Sequence, residues 1–284
     1  MSICVSVKVG EGLVLATDST STIQGTVAGQ QPGQASVLNT YDHATKLCQV
    51  KDYPIGVGTW GAGSVGARTI ASLVAEFSNV QPGAKEADGY KAKEIADRLF
   101  EFVKGKYLEA FGPDGIKVPG PSGPPLGLLI AGYGEGEFFP EQYVALLPIE
   151  DRLKEARSPQ QPAFGANWYG LTDAILRLHK GYAPELRQIL LEEKHWAAQE
   201  VDEVLGRLEY PVVFDGMPLQ DAIDFAVYLI GVVIGRFRFV VGAPLCGGQI
   251  DVAVITPAQF KWVQEKKWRA RPLWHGTTGG EEQC

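Results

Sequence analysis

The chain has 284 residues, 45% hydrophobic and 21% charged, with a formal net charge of -7. That is the composition of a packed globular protein and excludes a disordered one, while the excess of carboxylates, with Lys and Arg scattered except over residues 261–271, disfavours nucleic-acid binding. The four cysteines, Cys4, Cys48, Cys246 and Cys284, form no C-x-x-C pair and no Cys/His zinc spacing, so a reducing cytoplasm is expected, with no metal and no cofactor.

Ile3, Val5, Val7 and Val9 alternate with Ser2, Cys4, Ser6 and Lys8, and the Gly10-Glu11-Gly12 turn leads into Leu13 to Ala16, so a β-hairpin begins at the N-terminus. The start lacks the basic, then unbroken apolar, pattern of a secretory signal. Residues 20–41, rich in Gly, Gln, Ser and Thr, predict a long surface loop or an extended hairpin. Strands follow over residues 46–50 and 54–60, and Gly61-Ala62-Gly63-Ser64 is expected to turn directly into a helix. Ile70, Leu73, Val74 and Phe77 give that helix, and Ile95, Leu99, Phe102, Val103 and Tyr107 a second, longer one after Pro82-Gly83.

Strand patterns return over residues 126–133 and 143–147. Helices are expected over residues 172–180 and 219–237, separated by a charged helical stretch within residues 184–208, and final strands at Phe239-Val240-Val241 and over residues 250–255. The apolar run from Phe225 to Gly235 falls short of the ~20 residues that span a bilayer and reads as a buried helix, so no membrane partner is expected. Strands, two helices, strands, two helices and strands predict an α+β fold, a four-layer αββα sandwich with a helical pair on each outer sheet face. One domain over residues 1–258 is expected, with insertions at 20–41 and 184–208. Residues 259–284 then form a tail carrying Trp262, Trp268 and Trp274, either an arm that packs on a neighbouring subunit or a disordered end.

Ser2 carries the most chemical information. Loss of Met1 before a small residue leaves a hydroxyl beside its own α-amine, whose pKa of ~7.7 to 8.0 suits a base at working pH. A Met-Ser start by itself is common and proves nothing, so the residues around it decide. These are Ala16-Thr17-Asp18-Ser19 on the partner strand, Ala44-Thr45-Lys46-Leu47 on the next, and Gly61-Ala62-Gly63-Ser64. In this order they resemble the proteasome β-subunits and their bacterial relatives, the HslV and Anbu families of N-terminal-nucleophile hydrolases. Leu129-Ile130-Ala131-Gly132-Tyr133 and Phe164-Gly165-Ala166-Asn167 extend the resemblance over most of the chain.

The resemblance implies that Ser2 is the nucleophile in place of the family threonine and that Asp18 orients Lys46. Lys46, with Lys51 as the weaker alternative, lowers the amine and hydroxyl pKa, and the Gly63 amide serves the oxyanion. It also implies a peptide or amide substrate and a homo-oligomer, ring or helical stack, with any ATPase partner unspecified. Two departures stand out: Ala166 falls where the family has a supporting serine, and the segment ending Cys246-Gly247-Gly248 lacks the family's late aspartate, leaving Asn167 or Cys246 as substitutes. A small-molecule amidase or acylase, or a non-catalytic ring subunit, remain alternatives on the same fold. Two other motif matches fail. The G-x-G-x-x-G spacings around Gly61 lead to a second helix instead of a strand with an acidic end, and Ala62 to Gly66 imitates a nucleophile elbow without the preceding strands, H-G loop or well-placed late His, the tail residue His275 being a poor base.

Overall fold

The computed structural model describes residues 2–25, 36–86, 89–112, 123–157 and 163–267. Strands β1 (Ile3–Val9) and β2 (Gly12–Thr17) form the N-terminal hairpin, with Val5 opposite Ala16 and Val9 opposite Gly12. The hairpin lies inside a five-stranded antiparallel sheet. β2 is flanked by β13 (Asp251–Thr256), which turns back through β14 (Gln259–Gln264), while β1 is flanked by β12 (Gly165–Gly170) at the other edge. The second five-stranded sheet is ordered β11 (Lys154–Glu155), β10 (Glu141–Leu147), β9 (Leu126–Gly132), β6 (Ile55–Gly61) and β5 (Leu47–Gln49).

Period-two alternation divides each strand between two interfaces. Ile3, Val5 and Val7 of β1 and Val14 and Ala16 of β2 pack outward on Ile175 of helix α3 (Asp173–Lys180) and on Ala226, Leu229 and Val233 of α6 (Leu219–Arg238). The residues between them face the other sheet, where Cys4, Leu13 and Leu15 meet Leu47, Trp60 and Leu129. Val57, Leu128 and Ile130 cover the outer face of the second sheet against Leu73 and Phe77 of α1 (Ile70–Val80) and Leu99 and Val103 of α2 (Ala92–Phe111). The result is a four-layer αββα sandwich. Both faces of β1 are therefore buried, and its polar residues find partners across the sheet gap: Ser6 Oγ donates to Gln142 Oε1 (2.7 Å) and Lys8 Nζ to the Pro140 carbonyl (2.9 Å). Among the described residues no helix is long and apolar enough to cross a membrane.

Residues around the predicted insertions form a two-stranded hairpin, β3 (Ser21–Gly25) with β4 (Ser36–Tyr41), and two short helices, α4 (Glu185–Glu192) and α5 (Ala198–Gly206). Three local expectations are corrected. Gly61 to Ser64 does not turn directly into α1, because a small ladder, β7 (Ser64–Val65) with β8 (Arg68–Thr69), intervenes; Thr69 then caps the helix by accepting from the Ser72 amide (3.2 Å). Phe239 to Val241 form no strand. The sheet position is taken instead by Gln259–Gln264, so the tail does not begin at 259: Phe260 and Trp262 turn into the layer between the sheets, while Val263 is exposed. Two apolar residues at period two, just after the Pro257-Ala258 turn, carried that strand signal. Trp268, Trp274 and His275 lie outside the described residues.

Candidate active site

The pairing of Cys4 with Thr17 brings the open end of the β1–β2 hairpin together, so Ser2 and Asp18 leave adjacent strands at the same level. Ser2 is buried, and its carbonyl accepts from the Leu171 amide (2.9 Å) just beyond β12. That approach depends on Gly170, whose φ of 95° suits glycine and where a Cβ would overlap the Ser2 carbonyl oxygen. The chain start is thus held on both sides by neighbouring strands.

Asp18 is fully buried, and its carboxylate gathers donors from four segments. Oδ1 accepts from the Ile3 amide (3.1 Å) and Lys46 Nζ (2.8 Å), and Oδ2 from the amides of Thr20 (3.2 Å) and Gly247 (3.3 Å). A carboxylate so supplied has its lone pairs satisfied despite burial and is fixed in one orientation. Lys46 is likewise buried; its ammonium also donates to the Thr20 carbonyl, and its own carbonyl accepts from the Thr59 amide of β6 (2.9 Å). Since Lys46 and the Ile3 amide share one carboxylate oxygen, the ammonium is held against the first residues of the chain.

The structure thus brings Ser2, Asp18 and Lys46 together. Gly63 lies at the exposed rim: its carbonyl accepts from the Ile70 amide (3.2 Å), and a Cβ there would come within 3.6 Å of Ser21 Oγ, so it faces the stretch that follows Asp18. Lys51 is elsewhere, donating to the Gln81 carbonyl (2.9 Å) at the end of α1. The assignment of Ala166 and Asn167 to the surroundings of Ser2 is also corrected. They pair with Val7 and Ser6, toward the far end of β1, and the residues beside Ser2 are Gly170 and Leu171. Counting along a motif misplaced a register that only strand pairing fixes.

Cys246 does reach the site. Gly247 receives the Ser19 and Thr20 amides on its carbonyl (3.0 and 3.1 Å), and Gly248, with φ 72° and space for no side chain beside the Asp42 carbonyl, lets this segment close over Asp18. Burial pushes the Cys246 thiol up, and the charge of Asp18 and a hydrogen bond to it act in the same direction against Lys46. Cys4, on the other side of Asp18, is pushed up by burial and by the same carboxylate. Neither thiol is set up as a nucleophile. Sequence reasoning missed the Gly247 amide and the Leu171 amide; the only local signals were the Cys246-Gly247-Gly248 run and Gly170.

No family model matches the chain, and no curated protein matches it. Solved structures do. The chain is similar to Anbu (ancestral beta-subunit) from Yersinia bercovieri, with 16% identity over 93% of this chain and 88% of that one, at a TM-score of 0.48. It is also similar to an Anbu (Gly-1) mutant from Hyphomicrobium sp. strain MC1, with 14% identity over 94% of this chain and 86% of that one, at a TM-score of 0.53. The second likeness identifies the fold, the proteasome-like N-terminal-nucleophile hydrolase fold of Anbu.

Proposed function

We propose that this chain is an N-terminal-nucleophile amidohydrolase that cleaves peptide or other amide bonds through an acyl-enzyme on Ser2, exposed as the first residue by loss of Met1. The observation that carries the reading is the buried Asp18 carboxylate holding both the start of β1 and the Lys46 ammonium through Oδ1. Such an ion pair is costly to bury and gains meaning from what it faces, here a serine that would carry a free α-amine once Met1 is lost.

The Ser2 Oγ attacks the substrate carbonyl as its proton passes to the Ser2 amine, which works near pKa ~7.7 to 8.0 and is biased toward the neutral base by the Lys46 charge. The developing oxyanion is assigned to the Gly63 amide. The C–N bond then breaks as the amine returns the proton to the leaving nitrogen, and water, deprotonated by the same amine, releases the acyl group and restores Ser2. Asp18 positions Lys46 and the Ile3 amide.

Intact mass and acylation test the reading. The purified protein is expected to begin at Ser2 and to gain one acyl group from an N-terminal-nucleophile inhibitor. Ser2→Ala is expected to lose that adduct and at least 100-fold in amide hydrolysis with an unchanged circular dichroism spectrum. Retained Met1 in the native protein, or a Ser2→Ala variant as active as wild type, overturns it.

A further inference from the structure

Thr20 lies between the buried Asp18 carboxylate and the β3–β4 hairpin, and all three of its polar groups are engaged. Its amide donates to Asp18 Oδ2 (3.2 Å) and to the Gly247 carbonyl (3.1 Å), its carbonyl accepts from the Lys46 ammonium, and its hydroxyl donates to Asp42 Oδ1 (2.9 Å). The amide and the carbonyl reach the site already described. The hydroxyl leads out of it, because Asp42 is an exposed residue just past β4 with no part in the chemistry at Ser2.

The hydroxyl is held by shape as well. Thr20 is 1% exposed, its β-branch restricts χ1, and a Cβ on Gly247 would come within 2.9 Å of Thr20 Oγ1. Asp42 is fixed from its other side, since its carbonyl packs so closely on Gly248 that a Cβ there would stand 2.6 Å away. Ser21 and Tyr41 form the ladder pair at the base of the hairpin, so Thr20 and Asp42 close it one step further through their side chains.

What this closure controls is a direction. A lysine ammonium has three hydrogens; Asp18 Oδ1 and the Thr20 carbonyl take two, so their positions fix where the third points. With Thr20 released, the ammonium keeps Asp18 but is free to rotate about that contact. We propose that Asp42, through the Thr20 hydroxyl, is a positioning residue that aims the Lys46 ammonium at the start of the chain. Its effect on rate rests on the Ser2 reading; its effect on Lys46 does not. The other ionisable groups gathered here are Asp18 and the thiols of Cys4 and Cys246, which burial and Asp18 push up and keep neutral, while Lys266 is paired with Asp251 one strand over. Lys46 is therefore the cation that biases the Ser2 amine.

Two measurements on the full chain test this: acylation of Ser2 by an N-terminal-nucleophile inhibitor between pH 6 and 9, and labelling of the native protein by acetic anhydride, read at Lys46 and Lys266 by peptide mass spectrometry. Asp42→Ala, and Thr20→Val, which keeps the shape and backbone groups of Thr20, are each expected to slow acylation about 10-fold at pH 7. The acid limb is expected to move to higher pH, because the Ser2 amine loses a fixed positive neighbour. Both variants are expected to raise Lys46 labelling about fivefold and to leave Lys266 labelling unchanged. Asp42→Asn, which retains the acceptor, is expected to stay within about twofold of wild type, and Asp42→Ala combined with Thr20→Val to be no slower than either alone, since both break one bond. An active wild type that neither Asp42→Ala nor Thr20→Val slows, unchanged Lys46 labelling in both, Lys266 labelling that rises in parallel, or an Asp42→Asn variant as impaired as Asp42→Ala overturns the proposal. If wild type takes no acyl group at Ser2, the earlier reading falls and Lys46 labelling alone decides this one.

Discussion

Among the described residues two lysine-aspartate pairs have both side chains buried, and they hold different parts of the chain. Asp18–Lys46 sits where β1 and β2 end, and its carboxylate also takes amides from Ile3, Thr20 and Gly247. Asp251–Lys266 lies one strand over in the same sheet: the Lys266 ammonium and its backbone amide (2.9 Å) both donate to one carboxylate, fastening the chain after β14 to the start of β13. Thr17 joins them, being the ladder partner of Asp251 and the chain neighbour of Asp18. The residue types and burial are alike, so an ion pair by itself says little about function. The difference lies in what the carboxylate also holds, the chain start in one case and a strand end in the other.

The largest expected effect separates the pairs by activity. Lys46→Met is expected to reduce acylation of Ser2 by at least 100-fold, and Lys266→Met to leave it within about threefold of wild type, although each strands a buried carboxylate and is expected to cost about 3 to 5 kcal/mol in urea unfolding. Equal losses of acylation in the two variants would erase the distinction. A sharper version removes each pair whole. Asp251→Leu with Lys266→Met is expected to recover most of the lost stability, because an apolar pair needs no solvation, while Asp18→Leu with Lys46→Met is expected to recover less and no activity, because three amides lose their acceptor.

A smaller effect concerns the thiols flanking Asp18. With Cys4 and Cys246 buried and both pushed up by desolvation and by Asp18, alkylation at pH 8 is expected to spare them in the native protein and to modify them after denaturation, as mass spectrometry of peptides would read. Rapid native labelling of Cys246 would mean that the segment over Asp18 opens. The smallest effect lies at His179, which stacks on Trp168 of β12 with ring centroids 5.2 Å apart. Burial lowers the His179 pKa below its ordinary value, so the unfolded chain binds its proton first as pH falls. The stability contributed by keeping this imidazole neutral is present above the unfolded pKa of ~6.5 and is lost as pH falls through the lower folded value. His179→Gln is expected to flatten that slope between pH 7 and 5 without altering Ser2 acylation.

The fold was largely legible because its signals are local. The 3-5-7-9 alternation of β1, the 70-73-74-77 face of α1 and the apolar length of α6 each report one buried surface, and their order along the chain defines the layers. Edge elements were less legible. The strand β14 rests on two inward aromatics, and Phe239 to Val241 have strand composition but no strand beside them to pair with. In the site, Asp18 could be found from its position after the second strand and Lys46 from the next one. The Gly247 and Leu171 amides could not, because a backbone donor has no residue signature.

By itself, then, the sequence determined the layer order, the hairpin that opens the chain and the residue types that meet at its end, since these follow from side-chain periodicity and short-range spacing. Tertiary structure alone decided that Ala166 lies opposite Val7 instead of beside Ser2, that Gly247 caps Asp18 from a segment far along the chain, and that Lys266 is neutralised by Asp251. The physical reason is that register and long-range hydrogen bonds are set by how whole strands pack together, and a one-residue slip that exchanges every partner leaves the local pattern of residues unchanged.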